Sequence, residues 1–251
     1  MGRKVPVSEV CGCFPTGRHY AGIADRLAAL ARDVKGLAKV LAFDAQWHRA
    51  KLAVIDFETT GFDPKEARII EIGVACFDGG VMTGMKSWFV NPGLQIPEEV
   101  RNLTGILQED VDSAPPLDEV IMEFEETVAG HIPVAYNAKF DKSFAIEHSR
   151  QVKLDSSEPT FDPEVVWIDP LVWVRAIQKE RKNKLADACE RLGIPLDNAH
   201  RAGEDARAAG LVLMKLAEHM PKHYGELVRL QGQYAARQDV DMAAMRANWK
   251  K

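Results

Sequence analysis

The stretch Val54-Ile55-Asp56-Phe57-Glu58-Thr59-Thr60-Gly61 decides how the chain reads. A short apolar run, Leu52 to Ile55, leads into two carboxylates one residue apart and then a Thr-Thr-Gly turn. Residues i and i+2 of a strand point to the same face, so Asp56 and Glu58 project together. Like charges side by side at a strand end repel each other unless a cation neutralises them. Hard divalent cations take oxygen ligands, and Mg²⁺ accepts one or two carboxylates plus substrate phosphates. The plain alternative, an acidic residue closing a strand before a turn, fits a lone D-x-E equally well. Asp141, His200 and Asp205 add further acidic and imidazole groups downstream, and they favour the metal reading.

Working outward, the main domain begins near Lys51. Apolar runs predict strands over 51–58, 68–76 and 86–90, with Gly79-Gly80 as the tight turn of an antiparallel meander. A short helix starts at Pro97, and Pro115-Pro116 precedes another over about 117–129. A buried strand over 131–136 leads to a helix ending near Arg150, and 165–168 reads as a fifth strand. Helices follow near 170–178, 185–192 and 203–219, and the last thirty residues read as a helical tail. A meander followed by alternating helices and strands implies an α/β domain with a mixed, five-stranded sheet flanked by helices. Ahead of it, 1–20 reads as an irregular arm, and Ile23, Leu27, Leu30, Val34, Leu37 and Leu41 mark an amphipathic helix over 21–43. The expected partition is therefore an N-terminal arm and helix (1–50), a catalytic domain (51–220) and a basic tail (221–251).

The composition, 46% hydrophobic and 27% charged, is that of an ordinary soluble protein and excludes a disordered chain. No run approaches the roughly 18 apolar residues of a membrane span, and the N-terminus lacks the apolar core of a signal peptide. Cys11, Cys13, Cys76 and Cys189 are scattered, which fits a reducing cytoplasm better than a disulfide scaffold. Cys11-Gly12-Cys13 with His19 falls short of the four ligands that zinc takes. Net charge is −5, but residues 1–50 carry eight Lys/Arg against four Asp/Glu and 222–251 six against three, leaving −12 for 51–221. An acidic body between basic ends suits a metal-dependent enzyme whose flanks help hold a polyanion, although terminal helices often carry surplus cations simply as solvated charge.

The three chemistry-bearing segments carry a resemblance. Asp56-Phe57-Glu58-Thr59-Thr60-Gly61 resembles the first motif of the DEDD exonucleases, the DnaQ-like branch of the ribonuclease H-like fold. Asn137-Ala138-Lys139-Phe140-Asp141 resembles the second motif. His200-Arg201-Ala202-Gly203-Glu204-Asp205 resembles the third, with its His and Asp five residues apart. The resemblance covers roughly 51–219 and implies a 3′→5′ exonuclease of the His subclass. Asp56, Glu58, Asp141 and Asp205 would then hold two Mg²⁺ or Mn²⁺ ions, which a two-metal site places about 3.5–4 Å apart. His200 would be the general base, as an imidazole titrates near neutrality. Similar enzymes cradle the terminal nucleotide just after the first motif, which points to Thr59, Thr60, Gly61 and Phe62. Phe62 and Phe140 are candidates to stack on a base, and Phe140 is equally a core candidate. Asn137 and Thr104 complete the expected substrate contacts, and Glu71 is expected to brace the metal site.

Two departures bear on the substrate. Tyr136 stands where the family often has His before the Asn, and Thr104 stands in place of a His in a His-Gly-Ile run. Thr-Thr-Gly and Ile69-Ile70-Glu71-Ile72-Gly73 resemble the proofreading subunits of bacterial replicative polymerases, so single-stranded or frayed DNA is the expected substrate. That resemblance also implies a DNA polymerase or another replication or repair protein as partner. The alternatives are an RNA exonuclease of the ribonuclease T or oligoribonuclease kind and a non-catalytic nucleic-acid-binding module. An intact set of five catalytic residues argues against the last.

Overall fold

Alternation along β1 (Leu52–Thr59) builds two layers at once. In the computed structural model, which describes residues 44–154, 157–196 and 199–249, β1 lies inside the sheet. The expected arm, its Cys11-Gly12-Cys13 and the helix over 21–43 lie outside the described residues. β2 (Ile69–Asp78) runs antiparallel to β1, and β3 (Val81–Phe89) runs antiparallel to β2. Gly79 and Gly80 join them at φ +59° and +83°, the two left-handed positions that a tight hairpin demands. β4 (Ile132–Val134) pairs with β1 in parallel, so the strand order is β3-β2-β1-β4.

The sheet thus has four strands, not the five expected. The segment 165–168 reaches β4 but forms a single bridge, Val134 to Ile168. Ile168 N–H donates to the Pro133 carbonyl (3.0 Å) and Ala135 N–H to the Ile168 carbonyl (3.1 Å). The next rung of a parallel ladder would need an N–H on Pro133, which has none. Pro170 opens a helix two residues further on, so the pairing stops at both ends.

The helices are α1 (Glu98–Thr104), α2 (Gln108–Asp112), α3 (Leu117–Val128), α4 (Ala138–Gln151), α5 (Pro170–Gln178), α6 (Leu185–Leu192), α7 (Ala202–Leu216) and α8 (Tyr224–Trp249). The short α2 falls where the sequence pattern predicts no helix. Ala53, Ile55 and Phe57 face Phe124 of α3 and Phe144 of α4 in one core layer. Leu52 and Val54, with Ala75 and Phe77 of β2, face α5, α6, α7 and the start of α8 in the other. Asp56 and Glu58 share the parity of Leu52 and Val54, so they emerge on the α7 side where the apolar cover ends. Trp47 is fully buried in that layer, and its indole N–H donates to the Pro221 carbonyl (2.6 Å).

Two glycines let α7 lie directly on the sheet. A Cβ on Gly210 would overlap the Phe77 ring, and one on Gly73 would overlap the backbone of Ala202 and Gly203. Gly73 is also the cross-strand neighbour of Asp56. The absent side chain therefore brings the start of α7, and Asp205 on its first turn, up to Asp56.

Candidate active site

The four acidic residues of the three motifs converge at the open end of β1. Asp56 and Glu58 come from the strand, Asp141 from the first turn of α4 and Asp205 from the first turn of α7. Asp141 is buried (3% exposed) and accepts the Phe57 backbone N–H at 3.0 Å, which carries β1's pairing on past the end of β4. Asp205 accepts the His200 N–H (3.2 Å) on one oxygen; its other oxygen is buried and has no partner. Ligand atoms of Glu58, His200 and Asp205 all lie within 4.8 Å of one another.

The electrostatics are those of a cation site. Burial, then the neighbouring Asp205 and Glu71 charges, holds Asp56 well above the usual carboxylate range. Glu58 is pushed up to about 9 by burial and then by Asp56, Asp205 and Glu71, with Arg201 opposing. Burial and then Asp56 raise Asp141 well above its ordinary value, and burial raises Asp205. Carboxylates that raise one another, together with a buried oxygen lacking a donor, fit divalent cations.

Both helix-borne carboxylates are presented by turns with left-handed backbone. Asn137, just before α4, has φ +71°, and His200, before α7, has φ +67°. Non-glycine residues there cost of order 1–2 kcal/mol and need anchoring. Asp169 anchors the first turn: its carboxylate accepts the N–H groups of Asn137 (3.0 Å) and Ala138 (3.1 Å), and of Leu171 (2.9 Å) as the cap of α5. Burial pushes Asp169 up to about 6 against those amide bonds. Glu71 anchors the second turn. It is buried (1% exposed), receives Arg201 in a two-pronged ion pair (3.1 and 3.2 Å) and accepts the Ala202 N–H (3.2 Å). Glu71 lies directly across from Glu58, and the Arg201 charge relieves that like-charge pairing.

The other expected positions divide. Thr59 donates its hydroxyl to the Gly61 carbonyl (2.6 Å), and the Thr60 hydroxyl accepts the Arg68 N–H (2.9 Å), so both shape the turn after the first motif. Phe62 stands 90% exposed, edge-on to Phe140 at 6.5 Å. Phe140 packs partly on the core and tilts against Phe144 at 4.9 Å. Thr104 is buried at the end of α1; its hydroxyl donates to the Val100 carbonyl (2.9 Å) and accepts the Ile106 N–H (3.1 Å). Asn137 is exposed, and Tyr136 donates its hydroxyl to the Asn183 carbonyl (2.8 Å). Asp169 and Arg201 were given no role by sequence reasoning. Asp169-Pro170 reads only as a helix cap, whereas Gly73 inside a strand was an available sign of close backbone approach.

A mixed sheet layered between helices, with carboxylates gathered at the end of its central strand, defines a ribonuclease H-like nuclease architecture. The chain belongs to the exonuclease family: the RNase T exonuclease model matches residues 53–213. It is 33% identical over 196 residues to a PolC-type DNA polymerase III of Thermotoga petrophila, covering 78% of this chain and 14% of that protein. It is 28% identical over 172 residues to a DNA polymerase III subunit epsilon of Aquifex aeolicus, covering 68% of this chain and 83% of that subunit. Among solved structures, the fold matches the nuclease domain of 3′hExo, a DEDDh family member bound to rAMP (TM-score 0.59, 20% identity, 71% of this chain and 97% of that one). It also matches E. coli Exonuclease I in complex with a dT13 oligonucleotide (TM-score 0.59, 17% identity, 66% and 41%). Among the described residues no helix is long and apolar enough to cross a membrane.

Proposed function

We propose that the protein is a divalent-metal-dependent 3′→5′ exonuclease that releases nucleoside 5′-monophosphates from single-stranded or frayed DNA. The convergence of Asp56, Glu58, Asp141 and Asp205 beside an exposed His200 carries this reading. Those four carboxylates would hold Mg²⁺ or Mn²⁺, two ions per site. Bound there, the cations supply Lewis acidity for the scissile phosphate and lower the pKa of a water.

The chain's own groups do the rest. His200, exposed at the edge of the cluster, accepts the proton of the attacking water. Asp205 holds the His200 turn by its backbone N–H, so the imidazole is presented without losing a ring nitrogen to that bond. The turn 59–61 and Asn137 border the terminal nucleotide, and Phe62 lies against its base. The water oxygen bonds to phosphorus as the P–O3′ bond breaks, and the leaving 3′ oxygen takes a proton from solvent, giving a nucleoside 5′-monophosphate and a strand shortened at a new 3′ hydroxyl.

The epsilon subunit, matched over most of its length, supports DNA as substrate and a DNA polymerase or other replication or repair protein as partner. Free Cys76 and Cys189 support a cytoplasmic setting. An RNA 3′ end is the second reading, favoured by the fold neighbour bound to rAMP. Degradation of 5′-labelled single-stranded DNA and matched RNA, with Mg²⁺, Mn²⁺ or EDTA, tests both. The expected result is a metal-dependent ladder shortening from the 3′ end, faster on DNA and lost in Asp56→Ala and His200→Ala. Retained binding without cleavage of either strand would reject the enzyme in favour of a binding module.

A further inference from the structure

A chain of hydrogen bonds runs from the C-terminal helix to the second motif. Gln231 of α8 is buried (5% exposed). Its side-chain oxygen accepts the Asp169 backbone N–H (2.9 Å) and the Trp173 indole N–H (3.2 Å), and its amide nitrogen donates to the Trp167 carbonyl (2.8 Å). Two donors on one side and a carbonyl on the other leave a single orientation for the amide. Asp169 in turn grips the N–H groups of Asn137 and Ala138, the turn from which Asp141 is presented. Residues 53–213 match the family model, so Gln231 lies beyond that match.

We propose that Gln231 is a positioning residue for Asp141, acting through Asp169 to fix the left-handed turn at Asn137. The proposal rests on reading Asp141 as a metal-binding carboxylate. Docking of α8 does not depend on Gln231 alone. Gln238 donates to the Val172 carbonyl (3.0 Å), and Tyr234 meets Trp173 edge-on at 5.5 Å. Neither contact bonds Asp169 itself, although the Val172 N–H also faces the Asp169 carboxylate, so Gln238 reaches it only at second hand. Among the described residues, Gln231 is the member of α8 that hydrogen-bonds the Asp169 backbone, and its geometric demand there sets where the carboxylate points.

The test compares Gln231→Met with Gln238→Met in the full 251-residue chain, because both remove an α8 anchor at near-constant volume. Three readouts are taken at a temperature where both are folded: Mn²⁺ affinity by calorimetry, kcat and KM on single-stranded DNA, and amide exchange at Asn137 and Ala138. Gln231→Met is expected to weaken Mn²⁺ binding and lower kcat by about 10–100-fold, the usual effect of loosening a ligand's support. KM should stay close to wild type, and exchange at both amides should quicken. Gln238→Met, which touches Asp169 only through Val172, should change thermal stability and move the three readouts far less than Gln231→Met does. Trp173→Phe, which removes one of Gln231's partners, should move them in the same direction by a smaller factor. Equal behaviour of the two Met variants would overturn the positioning role while leaving the exonuclease reading intact. A wild type that neither binds Mn²⁺ nor shortens DNA would overturn both.

Discussion

The turns that present Asp141 and Asp205 solve one problem in two ways. Each holds a non-glycine residue at positive φ with a carboxylate, half-buried for Asp169 and buried for Glu71, that accepts backbone N–H groups. Behind Asn137 stands Asp169, enclosed between α4, α5 and α8. Behind His200 stands Glu71, paired with an Arg201 whose side chain is 45% exposed. Asp141 accordingly ends up buried and hydrogen-bonded to β1, whereas Asp205 keeps an unpartnered oxygen beside an exposed histidine. On the proposed mechanism, the sealed side would fix a metal ligand in place, and the open side would be where water enters and a proton leaves.

The largest effects come from the carboxylates themselves. Asp141→Asn and Asp205→Asn are each expected to lower kcat by about 10²–10³-fold, the scale of losing one electrostatic contact to the transition state. Stability separates them. Removing a carboxylate whose pKa is raised by burial and like charges stabilises the metal-free fold, so the melting temperature in EDTA should rise in both. The rise should be greater for Asp141, the more deeply buried, because Asn keeps an acceptor for the Phe57 N–H. A greater rise for Asp205 would break the distinction between sealed and open sides.

The anchors come next. Glu71→Gln and Asp169→Asn should each cost about 10–100-fold in metal affinity or activity. Glu71→Gln leaves Arg201 without its partner, but that guanidinium can turn to solvent, so the loss of stability should be modest. Asp169→Asn should be the less stable of the pair, as its amide replaces an acceptor of three backbone N–H groups. Thermal melting of the two variants side by side checks the order.

How much of this was legible follows from where the partners lie. Asp56 and Glu58 are two residues apart on a strand, and period-two alternation alone puts them on one face. Asp205 lies five residues after His200 at a helix start, again a local relation. Asp169 meets Asn137 across 32 positions and Gln231 across 62, and no periodicity announces either. Gln231 sits in a polar stretch, Gln231-Gly232-Gln233, that reads as solvated helix. The fifth strand failed for a related reason. Val165-Val166-Trp167-Ile168 has strand composition, but the missing donor that limits it belongs to Pro133.

The pH dependence sharpens the comparison further. Glu58 is pushed up to about 9, above its ordinary value of 4.5. A carboxyl whose folded value is raised contributes stability fully present below its unfolded value and lost as pH climbs through the folded one. Metal-free protein should therefore lose this contribution from about pH 4.5 to 9, while cations that neutralise the cluster bind better as pH rises. The gain in melting temperature on adding Mn²⁺ should grow between pH 6 and 8 by a few degrees, judged from about 2–4 °C per kcal/mol for a chain of this size. Glu58→Gln should flatten the trend.

The smallest expected effect concerns the base. Phe62 is almost wholly exposed, and its ring contact is Phe140, on the sealed side of the site. Phe140 is anchored on Phe144 and the core, so it can hold an edge against Phe62 while a base occupies the outer face. Stacking on an aromatic ring contributes about 1–3 kcal/mol per base, and a partly open ring belongs at the lower end. Phe62→Ala should then raise KM for single-stranded DNA about 5–10-fold, with little change in kcat and a shift in stability within about 0.5 kcal/mol. His200→Ala should do the reverse, lowering kcat while KM holds. A Phe62→Ala enzyme that lost kcat instead would place the ring against the reacting phosphate, and the division between a side that holds substrate and a side that handles protons would fail.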